Sequence, residues 1–171
     1  VKGGVVAQGL MDVGSATLVG RTIEQAGTIV ADRGVVAMLV GSDVTVRESG
    51  GTISARIDGT NLDASRQDSA RQGRRSGVAS LGAGDTVALA FRNTGDVRAA
   101  GGTVVAAAPG GRVENHGTIS ADVAQGNAGT AVVTGAEVRN SGRVSADAGQ
   151  GAAGAVEVTS SRRTTLESGS V

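Results

Sequence analysis

The sequence predicts an all-β fold, a parallel β-helix (β-solenoid) of about six to seven coils, and three observations carry that expectation. The first is a recurring glycine-centred segment. It reads "AGTIVAD" at Gly27, "GGTISAR" at Gly51, "TGDVRAA" at Gly95, "HGTISAD" at Gly117, "SGRVSAD" at Gly142 and "SGSV" at Gly169, with intervals of 24, 44, 22, 25 and 27 residues. Periods of this size belong to solenoids; the 44 is either two periods or one period carrying a long insertion. The second is strict alternation after each glycine. The third is composition: 29 Gly, one Pro, no Cys, Trp or Tyr, and Phe91 as the only aromatic in 171 residues. A core without large rings is narrow, filled by Val, Ala, Leu and Ile.

Each element follows from these patterns. Ile29 and Ala31, Ile53 and Ala55, Val97 and Ala99, Ile119 and Ala121, and Val144 and Ala146 share one parity, while Thr28, Thr52, Ser54, Asp96, Arg98, Thr118, Ser120, Arg143 and Ser145 take the other. Period-two alternation is a strand with one buried face, and a 3.6-residue period would scatter the same residues around a helix. The expected outcome is an inner aliphatic column of Ile29, Ile53, Val97, Ile119 and Val144, with the glycines on one line. A second β-rich run follows each anchor: "GVVAMLV" (34–40), "DTVALAF" (85–91), "GTVVAAA" (102–108), "GTAVVTG" (129–135) and "GAVEVTS" (154–160). Short pieces such as "DVTV" (43–46) and "AEV" (136–138) lead to the next anchor, with Gly, Asp and Asn at the reversals. Two residues before the anchors stand Gln25, Ser49, Asn93, Asn115, Asn140 and Glu167. Asparagines stacked at one turn can hydrogen-bond along the axis, as in cross-β ladders. The near-identity of "VENHGTISAD" and "VRNSGRVSAD" then has a structural cause: each copy sits on the one before it.

Composition also excludes several classes. Sixteen basic residues cancel sixteen acidic ones, which with the abundance of Val and Thr argues against disorder. Neutral charge and the lack of stacking aromatics remove the signature of a nucleic-acid binder. No run reaches the roughly 18 apolar residues of a transmembrane segment, and no signal peptide is visible at Val1-Lys2-Gly3-Gly4. The start without Met, the mid-pattern end at Val171 and the lack of polar capping repeats lead to the expectation that 1–171 is a single β-helix fragment of a longer protein, prone alone to end-to-end association.

One segment breaks the pattern. "IDGTNLDASRQDSARQGRRSG" (57–77) is polar and charged, and is expected to be a loop excursion from one coil, with a helical turn between Asp63 and Gln72. A ligand-contacting loop led by Arg71, Arg74 and Arg75 is one reading, and a solvated insertion, the ordinary state of a charge run, is preferred.

No catalytic, cofactor-binding or metal site is assigned. His116, the only histidine, occupies a turn position that is Ala26, Gly50, Thr94 or Ser141 in the other copies, which reads as an exposed turn residue rather than a base with its nucleophile. Asp32, Asp122 and Asp147 each lie five residues after an anchor, but Arg56 and Ala100 occupy the same column, so surface ion pairs are expected rather than a calcium site. A Thr ladder of the ice-binding type begins with Thr28, Thr52 and Thr118 and is broken by Asp96 and Arg143. A polysaccharide lyase on the same scaffold is a further alternative, disfavoured by a wall without sugar-stacking aromatics.

"AGTIVADRGVVAMLVGSDVTVRESGGTISAR" (26–56), "GVASLGAGDTVALAF" (77–91) and "VENHGTISAD" together resemble the repeat region of the filamentous haemagglutinin family, the large exoproteins of Gram-negative two-partner secretion. The form, roughly V-x-N-x-G-x-I-x-A with a following G-x-V-x-L run, extends over most of residues 20–171. The resemblance implies a right-handed β-helix, an outer-membrane transporter as secretion partner, an extracellular or outer-membrane-surface location, and adhesion to an unidentified receptor without enzymatic activity. The family's N-P-N-G-type secretion motif has no counterpart here, since the chain contains no Asn-Pro.

Overall fold

In the computed structural model, which describes residues 3–49, 52–58, 60–64 and 88–167, the alternating segments pair in parallel, like with like. The chain is all-β, without helix among these residues. It opens with β1 (Val5–Ala7), β2 (Leu10–Val13) and β3 (Ala16–Gly20), and β4 (Ile23–Gln25), β5 (Thr28–Asp32) and β6 (Val35–Val40) pair onto them in that order. After an insertion, β10 (Leu89–Asn93) pairs on β4 and β11 (Asp96–Ala100) on β5. The long strand β12 (Thr103–Asn115) pairs with β6 through its first half and β10 through its second. Its register shifts between Ala108 and Arg112, where Pro109 has no N–H to give the ladder. Above it lie β13 (Thr118–Ser120), β14 (Val123–Gln125) and β15 (Thr130–Asn140), then β16 (Arg143–Ser145), β17 (Ala148–Gln150) and β18 (Ala155–Leu166).

These registers align the core. Met11, Ile29, Val97, Ile119 and Val144 are paired partners up one sheet, and the last four are buried in the main apolar cluster. Val5, Ile23, Phe91, Val113 and Val138 form a second column, and Leu18, Met38, Ala106, Val133 and Val158 a third. Since Ile119 is fully buried and Thr118 beside it half-buried, Ile119→Val is expected to cost about 0.5–1.5 kcal/mol. Thr118→Ala should stay within about 0.5 kcal/mol. Urea midpoints of the two variants measure the difference, and equal losses would contradict the facing assigned here.

The glycine line exists because the backbones nearly touch. A Cβ on Gly117 would lie 2.1 Å from the carbonyl oxygen of Gly95, and the same closeness joins Gly95 to Gly27 and Gly142 to Gly117. No side chain larger than hydrogen fits without moving main chain.

The expected column requires one correction. Val97 pairs directly with Ile29, so Ile53 is not between them, and the whole 68-residue span from Gly27 to Gly95, covering both the 24- and the 44-residue intervals, is one period with an insertion. Ile53 lies in β8 (Thr52–Ile57), the middle strand of an antiparallel meander with β7 (Val44–Ser49) and β9 (Thr60–Ala64). The period-two pattern of "GGTISAR" is genuine, but alternation marks a strand without saying which sheet it joins. Thr52 and Arg56 leave their expected columns with it. The excursion consequently begins before residue 57. Asp63 and Ala64 are in strand rather than helix, while the remainder of the expected helical turn, with Arg71, Arg74 and Arg75, lies outside the described residues, as do Gly51 and Gly169.

The meander is docked, not free. Val44, Val46, Ala55 and Ile57 pack with Val19, Val35, Ala37, Leu39, Val105, Ala107 and Val132 on the outer face of β3, β6, β12 and β15. This is why β6 is buried at every position, on both faces. Further up the same outer columns the residues become Thr134, Thr159 and Glu157.

Candidate functional site

Two polar clusters stand on the outer wall, each built by register. Immediately before the Gln/Asn position, Glu24, Arg92, Glu114 and Arg139 stack as paired partners on β4, β10, β12 and β15, alternating in charge. Glu114 is the centre. Its carboxylate is 3.4 Å from Arg92 Nη2, 3.0 Å from Arg112 Nε and 3.6 Å from His116 Nε2. Arg112 Nε, though close, is not aligned to donate. Burial pushes the Glu114 carboxyl up, but Arg112, Arg92 and His116 outweigh it and hold it below the usual carboxylate range. His116 is exposed, as expected of a turn residue, with Nδ1 2.6 Å from Ser141 Oγ.

The second cluster surrounds Asp122. Its Oδ1 accepts from the Asp147 backbone N–H at 2.7 Å and its Oδ2 from the Ser145 hydroxyl at 2.8 Å. Arg143 Nη2 lies 2.8 Å from Asp147 and 3.8 Å from Asp122. Burial again raises the Asp122 carboxyl. The Asp147 N–H, the Ser145 and Ser120 hydroxyls and Arg143 together overturn that and lower it. The expected ion pairs are therefore present at Asp122 and Asp147, whereas Asp32 pairs in register with Ala100 and stays exposed outside the cluster. Among the described residues no group of three or more His, Asp or Glu could hold a metal ion.

Because both carboxyls are lowered on folding, the stability they contribute is present above the ordinary carboxylate range and lost as pH falls through and below it. Urea midpoints should be level between pH 7 and 6 and fall toward pH 3. Glu114→Gln should shallow that fall, and an unchanged slope would show that the guanidinium cluster is not its source.

Between these surfaces runs a fully buried asparagine ladder. Asn93 Nδ2 donates to Asn115 Oδ1 at 2.7 Å, and Asn115 Nδ2 donates to Asn140 Oδ1 at 2.6 Å. Asn140 Nδ2 ends the series on the carbonyl of Gly142 at 3.1 Å. Gln25 and Leu166 occupy the flanking positions. Sequence spacing indicated the ladder but missed the alternating charge column, although its signal is present: four ionisable residues of alternating sign, each one position ahead of the Gln/Asn turn. Within each cluster and along the ladder the contacts run from one repeat to the next, so that these groups brace the stack. Comparison with protein-family models, curated proteins and solved structures finds no match to this chain.

Proposed function

We propose that the chain is a segment of right-handed parallel β-helix from a secreted or cell-surface adhesin of the filamentous haemagglutinin type. The observation carrying this reading is the unbroken like-on-like parallel pairing, in which Asn93, Asn115 and Asn140 bond one to the next along the stack. A rod braced in this way suits a stalk that presents a long polar surface for many weak contacts. The role is non-catalytic, the location extracellular or on the outer-membrane surface, and the secretion partner an outer-membrane transporter of the two-partner type.

Protease shaving of intact cells of the encoding organism, with antibody against this segment, tests the proposal. The segment should be removed by protease on intact cells and should disappear from the surface and medium when the neighbouring transporter gene is deleted. Retention inside the cell, or export indifferent to that deletion, would contradict the secretion route. Release of unsaturated uronate from an acidic polysaccharide would instead favour the lyase alternative.

A further inference from the structure

The corner between the second and third strands of each repeat changes length along the stack. Asp96 pairs with Thr118 at an offset of 22 residues and Thr103 with Thr130 at 27, so the corner after β13 carries five additional residues. The corner after β16 carries the same five, since Thr118 with Arg143 and Thr130 with Ala155 are both offset by 25. The corners after β5 and β11 remain short. The long corners contain β14 and β17, paired with each other, and a step is left where they pass over the short ones. A hollow of about 300 Å³ lies at that step, lined by Arg33, Gly101, Val123, Gln125, Gly126 and Asn127.

Arg33 is out of place by conformation. It follows Asp32, the partner of Ala100, and so stands where the next repeat has Gly101. Both are left-handed, with φ of 54° at Arg33 and 65° at Gly101. Glycine adopts this region freely and arginine does not, so the side chain is retained against a local backbone cost, the pattern of strain at functional positions. The Arg33 guanidinium has no ion pair or hydrogen bond among the described residues, although Asp32 precedes it. The Asp122 carboxylate, one residue before Val123 of the lining, is engaged by Ser145 and Asp147. Above it, the Gln125 amide is exposed. Asn127 uses Oδ1 to accept from the Ala152 N–H at 3.2 Å, which leaves its Nδ2 to donate.

We propose that this step binds an extended acidic segment of another polypeptide. Arg33 takes an Asp or Glu carboxylate through its two-pronged N–H donors, and the amides of Gln125 and Asn127 take peptide groups, whose donor and acceptor they match. Val123 and Gly101 supply an apolar floor. A saccharide is disfavoured because the chain's only aromatic, Phe91, is fully buried and offers no ring to stack a sugar. The site goes beyond the adhesive reading and does not depend on the export route.

Titration of the ¹⁵N-labelled 171-residue chain with the capped peptide Ser-Val-Asp-Val-Ser tests the site. Saturable shifts are expected at the amides of residues 33, 101 and 123–127, with at least tenfold weaker binding of Ser-Val-Asn-Val-Ser. Arg33→Gly should weaken the acidic peptide at least tenfold while leaving the thermal midpoint unchanged or raised, because glycine suits the left-handed backbone. Lack of shifts at these amides, or undiminished affinity in Arg33→Gly, would overturn the proposal. So would a lowered midpoint in that variant, which would make Arg33 a structural residue. Trigalacturonate shifting these amides when the peptide does not would assign the step to saccharide instead.

Discussion

Phe91→Ala is expected to destabilise the chain by about 3–5 kcal/mol, toward the upper end of that range for core truncations. Phe91 is fully buried and has Ile23 below it and Val113 above it in register. Those neighbours cannot move in to fill the space. Their strands are held by backbone bonds on both sides, with Ala26 N–H donating to Ala7 below, Thr94 N–H to Gln25, and His116 N–H to Asn93 above. The cavity therefore persists, and the cost of a persisting cavity adds to the lost transfer energy of the ring. Phe91→Leu retains most of the volume and should cost about 1–2 kcal/mol. Urea unfolding of the two variants measures both values. A loss below about 1.5 kcal/mol for Phe91→Ala would mean that the column can collapse, and that the ladder bonds do not fix the spacing.

Phe91 also shows where sequence reading stops. It stands out in the sequence as the sole aromatic, yet nothing in its surroundings tells that it lies between Ile23 and Val113, since the first is 68 residues away and separated by the insertion. The all-β class and the parallel pairing were legible because the repeat writes the same parity again and again, as at Ile29, Val97, Ile119 and Val144. Ile53 defeated the reading for the same reason. Its segment has the right glycine, parity and aliphatic residue, and antiparallel pairing with β7 and β9 satisfies that alternation equally well. Periodicity defines a buried face but not its partner, and an insertion that is itself β-rich imitates another repeat.

The outer surface was less legible. Ion pairing at Asp122 and Asp147 followed from their common spacing after Gly117 and Gly142. The Glu24–Arg92–Glu114–Arg139 column, by contrast, becomes visible only once Arg92 is known to pair with Glu24, which requires removing the insertion from the count. A second glycine line, in which a Cβ on Gly102, Gly129 or Gly154 would meet the carbonyl oxygen of the glycine one repeat below, was present in the quoted runs "GTVVAAA", "GTAVVTG" and "GAVEVTS". Their common first letter was a stacking signal of the same kind as the anchor glycine. The left-handed backbone of Arg33 had no sequence signal, because an arginine in a corner looks like any solvated charge.

The asparagine ladder gives two expected results of opposite sign. Asn115→Leu preserves approximate volume, so its cost isolates the hydrogen bonds. It removes the acceptor of Asn93 Nδ2, which retains only the more distant Thr118 carbonyl at 3.3 Å, and it removes the donor to Asn140 Oδ1 and to the Arg143 carbonyl. Each buried group left without a partner costs about 1–3 kcal/mol, so the total is about 2–5 kcal/mol. At the lower end of the series the opposite change is available. Gln25 pairs in register with Asn93, is fully buried, and neither its Oε1 nor its Nε2 has a partner. One methylene too long, it stands on the ladder position without joining it. Gln25→Asn brings the amide level with Asn93 Oδ1, which accepts only from the Gly95 N–H, and should gain about 1 kcal/mol after the loss of one buried methylene is offset. Denaturant midpoints of the two single variants and the double variant measure this. If the ladder bonds are its cause, the gain from Gln25→Asn persists in Asn115→Leu, where Asn93 remains. A Gln25→Asn variant less stable than the parent would show that the glutamine amide is better satisfied than its contacts indicate.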